Sequence, residues 1–170
     1  MIDIRYDFIP YIDQVYSSCK NKISLFKVED HSELNNQETT DSWPGKRSLN
    51  LSEVEPFLYL QLMHLIESKF NLVLSNYKSI DAYIHLRLKE DDTKDWIHID
   101  PTDTILIYLS PTNLFSGTSF YSDDEQEISS VKFVQNCGLF FNGQIKHKSL
   151  SNYGENLEDG RMTINIFCKK

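Results

Sequence analysis

The chain has 170 residues, 40% hydrophobic, 12% aromatic and 25% charged, which suits one folded domain and excludes disordered, collagen-like and coiled-coil classes. Its net charge of -8 is spread along the sequence, and no cluster of lysines and arginines is long enough to track a phosphate backbone, so no nucleic-acid partner is expected. Cys19, Cys137 and Cys168 are far apart and outside any CxxC spacing, which argues against a disulfide framework or structural zinc and suits a reducing cytoplasm; with no signal-like start and no run near 18 apolar residues, neither secretion nor a membrane span is expected.

In chain order, residues 9–21 place Ile9, Ile12, Val15, Tyr16 and Cys19 at helical spacing, with Pro10 tolerable in a first turn. Residues 22–28 (KISLFKV) alternate and predict a strand. From Glu29 to Ser48 the sequence is polar and aperiodic, with a Pro44-Gly45 turn signal. A loop of that length suits a binding lid or a surface excursion. Ser52 with Glu55 three residues later reads as a capping box ahead of one long helix over 53–70, on which His64 is a packing or surface residue. Past Phe70 come eight short β-rich runs: LVLSNY, DAYIHLRL, WIHI, TILIYLS, GTSFYS, VKFV, GLFFN and RMTINIFC. The fold class is therefore mainly β with N-terminal helices: helical support over about 1–70 and a jelly-roll (double-stranded β-helix) core over about 71–170.

Within Trp96-Ile97-His98-Ile99-Asp100, period two puts His98 and Asp100 on one face of a strand. An imidazole and a carboxylate side by side supply two ligands of a 2-His-1-carboxylate facial triad, the arrangement that holds non-haem Fe(II). Alone the HxD pattern is weak, and His98 could equally be an ordinary strand residue and Asp100 a cap before Pro101. His147, the one histidine after Asp100, follows a strand-like run bounded by Gly138 and Gly143. Fourteen residues on, Arg161, Thr163 and Asn165 share one face of the last strand. An arginine turned inward there is costly unless a carboxylate meets it, and the distal carboxylate of 2-oxoglutarate would satisfy both the guanidinium and the Thr163 hydroxyl.

Over roughly residues 80–168 the sequence resembles the Fe(II)/2-oxoglutarate-dependent oxygenases, nearest to the prolyl-hydroxylase-like branch and its small phage and bacterial members. The resemblance rests on His98-x-Asp100, His147 and Arg161 followed by Thr163, in order and spacing, and on Tyr108-Leu109-Ser110 leading to Ser116-Gly117-Thr118. A single Gly117 stands where that branch commonly has two glycines. Trp43-Pro44-Gly45-Lys46-Arg47-Ser48 is also similar to a turn near the N-terminus of small phage-type members.

The resemblance implies iron on His98, Asp100 and His147; 2-oxoglutarate on Arg161, Thr163 and the Tyr108 hydroxyl; dioxygen as second co-substrate; and hydroxylation of a C–H bond. The carboxylate of Asp100, which related halogenases lack, fits hydroxylation. A peptidyl proline is the leading substrate, a free amino acid or other small molecule the next, and a non-catalytic, cupin-like metal-binding protein the competing class. Tyr83, His85, Arg87 and Asn165 are expected to line the pocket, with His85 the reserve metal ligand.

Overall fold

The computed structural model describes residues 2–34 and 43–170. Two antiparallel sheets face one another as a jelly roll, and helices cover the outer face of the larger sheet. The strands are β1 (Ile2–Arg5), β2 (Lys46–Arg47), β3 (Ser79–Arg87), β4 (Asp103–Tyr108), β5 (Asn113–Tyr121), β6 (Glu127–Phe133), β7 (Gly138–Asn142), β8 (Lys146–Ser149) and β9 (Arg161–Lys169). Six of them form a sheet in the order β1-β7-β4-β9-β3-β2, and three form a second in the order β6-β5-β8.

Alternation along the central strands builds two distinct interiors. Ala82, Ile84 and Leu86 of β3, Ile105 and Ile107 of β4, and Met162, Ile164, Ile166 and Cys168 of β9 pack outward beneath the helices. The opposite faces of the same strands turn toward the smaller sheet, where Leu106, Tyr108, Phe120, Phe133, Leu139 and Phe141 form a second cluster. Polar residues of β3 and β9 share that inner face, and this is what positions a site between the sheets.

The helices are α1 (Ile12–Lys22), α2 (Val28–Leu34), α3 (Leu51–Val54) and α4 (Pro56–Phe70). The single helix expected over 53–70 is two, because Pro56 restricts the residue before it: Glu55 sits at φ -144, ψ 65, and Pro56 opens α4 in its first turn. The cap of α3 is Asn50 rather than Ser52, its side chain accepting from the Ser52 N–H at 3.2 Å. α4 buries Leu62, Ile66 and Phe70, one stripe at four-residue spacing. The strand expected over 22–28 is a single bridge, Phe26 to Arg47, since α1 and α2 take the residues on either side. Residues 29–34 of the expected loop are helical, within α2, and its stretch 35–42 lies outside the described residues. The run LVLSNY is a 3-10 turn at Leu74–Asn76, and WIHI pairs only at His98. None of the helices described is long and apolar enough to cross a membrane.

Asn136 fastens the N-terminal segment to this frame. It sits at φ 64, and its side chain accepts from the Ile9 N–H at 2.7 Å while donating to the Ile9 carbonyl at 2.9 Å. Asn136→Ala strands two buried polar groups and places a Cβ residue without a local hydrogen bond in the left-handed region. We expect it to cost about 2–4 kcal/mol, read as a lower urea midpoint at unchanged slope. A midpoint within error of wild type would refute that role.

Candidate metal centre

The segment from Asp95 to Asp100 is irregular, but backbone pairing fixes it against the turn joining β7 to β8. The His98 N–H donates to the His147 carbonyl at 3.0 Å, the His147 N–H returns the bond at 2.8 Å, and the Asp100 N–H donates to the Gly143 carbonyl at 2.8 Å. Gly143 is required at this approach: a Cβ there would lie 1.9 Å from the Thr102 carbonyl oxygen and 2.8 Å from Asp100 Cβ. The pairing sets the two imidazoles beside each other, ring centroids 4.5 Å apart.

One ligand atom from each of His98, Asp100 and His147 falls within 4.8 Å of the other two. His98 Nε2 is 4.0 Å from Asp100 Oδ1, and His147 Nε2 is 3.4 Å from Asp100 Oδ2. Both histidines donate from Nδ1 to carbonyls close in sequence, His98 to Trp96 at 2.9 Å and His147 to Ile145 at 2.8 Å. That makes Nδ1 the donor in each ring and turns each Nε2, the nitrogen a metal would take, toward Asp100. Burial, then the neighbouring His147, holds His98 below its ordinary range and therefore neutral. Burial raises Asp100, but hydrogen bonds and charge from His147 and a hydrogen bond from Thr104 outweigh it, so the carboxyl lies below its usual range and is ionised. Thr104 donates to Asp100 Oδ2 at 2.7 Å.

These groups open on a cavity of about 580 Å³ between the sheets, which Arg161 also lines. Arg161 is 3% exposed. Its one hydrogen bond is from Nη2 to the Gly117 carbonyl at 3.3 Å, its Nε has no partner, and no carboxylate pairs with it among the described residues. Burial lowers its pKa to about 10, so it is a cation held at a cost.

The structure departs from the expected co-substrate contacts at two hydroxyls. Tyr108 is fully buried, its ring 4.3 Å from that of Phe133, and it donates to Thr118 Oγ1 at 2.8 Å rather than into the cavity. Thr163, also fully buried, donates to Asn165 Oδ1 at 2.7 Å. Thr118, on the cavity wall, accepts the Tyr108 proton and retains its own hydroxyl hydrogen to donate. Its one sequence signal is its place after Ser116-Gly117, where the register of β5 shifts.

Of the expected pocket residues, Tyr83, Arg87 and Asn165 line the cavity. His85 does not: it is 1% exposed, and its Nε2–H donates to the Pro44 carbonyl at 2.8 Å. Burial and then Arg87 and Arg47 push its pKa well down, leaving a neutral donor already committed and no reserve ligand. Trp43 and Arg47, from the polar run before α3, complete an aromatic and cationic end of the cavity: the Arg47 guanidinium lies 4.5 Å from the Trp43 ring centre, 5.5 Å from that of Tyr83 and 5.7 Å from that of Phe167.

No family model and no curated protein matches the sequence. Solved structures share the fold. HygX from Streptomyces hygroscopicus, solved with nickel, 2-oxoglutarate and hygromycin B, aligns with TM-score 0.65 and 11% identity over 99% of this chain and 83% of its own. A prolyl-4-hydroxylase from Pseudomonas putida aligns with TM-score 0.58 and 14% identity over 99% and 92%. The viral collagen prolyl hydroxylase of Paramecium Bursaria Chlorella virus-1, solved with 2-oxoglutarate, aligns with TM-score 0.58 and 11% identity over 98% and 94%. At such identities the likeness establishes the double-stranded β-helix.

Proposed function

We propose that the chain is an Fe(II)- and 2-oxoglutarate-dependent dioxygenase that hydroxylates a C–H bond. The observation that carries this is one cavity holding both a two-imidazole, one-carboxylate cluster and a buried arginine that no carboxylate of the described residues meets. Two neutral nitrogens and one anionic oxygen suit Fe(II), and the orphaned Arg161 Nε suits the distal carboxylate of a keto diacid. Iron bound there would activate dioxygen for decarboxylation of the keto acid and oxidation of the substrate.

The chain's own part is position and exclusion. Trp96 and Ile145 carbonyls hold the imidazole tautomers, Thr104 holds Asp100, and Arg161 with the Thr118 hydroxyl fixes the far end of the co-substrate. Phe120 and Phe141, packed on His147 at 6.4 and 4.9 Å between ring centres, keep the metal's protein side dry. For the substrate we favour a peptidyl proline, whose ring suits the aromatic end of the cavity beside Trp43, Tyr83 and Phe167. The similarity to HygX favours a second reading, a small-molecule hydroxylase.

The test is turnover: 2-oxoglutarate with Fe(II) and ascorbate should give succinate, and proline peptides should stimulate it and gain one oxygen atom. Absence of succinate with every substrate tried, from protein shown to bind both metal and co-substrate, would favour a non-catalytic metal-binding role.

A further inference from the structure

Arg87 lines the same cavity, and the chemistry proposed above gives it no task. It is 8% exposed and stands directly across the β3–β9 ladder from Arg161, a like-charge pairing that is unfavourable in itself. Its Nη1 donates both to Asp95 Oδ2 at 2.7 Å and to Ser149 Oγ at 2.8 Å. The Asp95 side chain is 1% exposed, and Arg87 is the only cation in an ion pair with it among the described residues.

Each of these partners leads to a histidine of the cluster. The other Asp95 oxygen accepts the Trp96 N–H at 3.1 Å, and the Trp96 carbonyl receives Nδ1–H of His98. Ser149 follows His147 by two residues on β8, on the same face of that strand. A single guanidinium nitrogen on the larger sheet therefore ties together the irregular segment bearing His98 and Asp100 and the strand of the smaller sheet bearing His147.

We propose that Arg87 is a positioning residue for the metal centre, setting metal affinity through Asp95 and Ser149 without touching the metal. The inference rests on the reading that His98, Asp100 and His147 bind a metal. Groups that orient metal ligands from behind typically govern affinity by 10- to 100-fold.

The experiment is an anaerobic titration of the full chain with Co(II), followed by its visible absorption, for wild type, Arg87→Gln, Arg87→Lys and Ser149→Ala, with thermal unfolding measured in parallel. Arg87→Gln should weaken Co(II) binding about 10- to 100-fold and alter the absorption bands. Arg87→Lys, which keeps a cation against Asp95, should recover much of the affinity, and Ser149→Ala should fall between it and Gln. A role confined to folding would lower the melting temperature while the folded protein kept wild-type affinity and spectrum, and that result overturns the proposal. If Arg87→Gln does not fold, Ser149→Ala decides: unchanged affinity and bands overturn it. A wild-type chain that binds no Co(II) sinks the metal reading as well, whereas binding by wild type with variants unchanged sinks this inference alone.

Discussion

Asp100→Ala is expected to reduce Fe(II) or Mn(II) binding to a non-specific level while leaving the two sheets intact. Asp100 is the one anionic donor of the cluster, and its low pKa means that the carboxylate is already charged at neutral pH. Without it, two neutral imidazoles face a divalent cation with no charge to neutralise it and no oxygen donor. Asp100 is only partly buried, so truncation leaves no large cavity, and unfolding should change little. His147→Ala should have the same consequence, because His98 and Asp100 alone hold a metal by a single short segment. Mn(II) titration followed by electron paramagnetic resonance measures both. Undiminished binding in the His147 variant would displace that residue from the ligand set.

Replacing Arg161 by methionine should separate stability from ligand binding in opposite directions. Burial lowers the pKa of this arginine, which says that the folded state disfavours its charged form. Against an ordinary unfolded-state arginine, the sign is destabilising at every pH below about 10. Arg161→Met keeps most of the volume and removes the cost, so the ligand-free protein should gain about 1–3 kcal/mol. The same change should weaken 2-oxoglutarate binding by roughly 1.5–3 kcal/mol, the scale of a charge-assisted hydrogen bond. Arg161→Lys should recover only part, since the planar two-point geometry is lost. Thermal scans with and without 2-oxoglutarate at fixed Mn(II) read both effects: wild type should shift upward with ligand and the Met variant should not. Equal shifts would remove Arg161 from the co-substrate site.

Where burial alternates with polarity, the sequence reads well. Residues 81–88 and 161–168 each alternate an aliphatic face with a polar one, and β3 and β9 bury those aliphatic faces against the helices, as β4 does with Ile105 and Ile107. β8 escaped because its inward residues are His147 and Ser149, so a period sought in hydrophobicity is blank there. LVLSNY and KISLFKV have strand-like composition, yet their termini belong to helices and turns, and tertiary neighbours decided against pairing. Pro56 was visible in sequence and should have divided the long helix.

The cluster itself was legible because chain order carries it: His98 and Asp100 lie two apart, though on an irregular segment bridged only at His98 rather than on the expected strand, and Arg161 faces inward among aliphatic neighbours. Destinations of hydroxyls and rings were not legible. The Tyr108 proton goes to Thr118 and the His85 ring to the Pro44 carbonyl, partners 10 and 41 residues away that no local pattern specifies. Nor does spacing reveal that Asp95 and Ser149 converge on one nitrogen of Arg87.

The three backbone hydrogen bonds that join the 95–100 segment to the β7–β8 turn and β8 form a short seam, and local unfolding is expected to begin where few contacts hold. A metal held by His98 and His147, as proposed, would close that seam from the side-chain direction. It would add about 2.7 kcal/mol against opening when free metal is a hundredfold above its dissociation constant. Metal starvation would then act first as a loss of local protection, exposing this seam to proteases and solvent exchange while the six-stranded sheet remains folded.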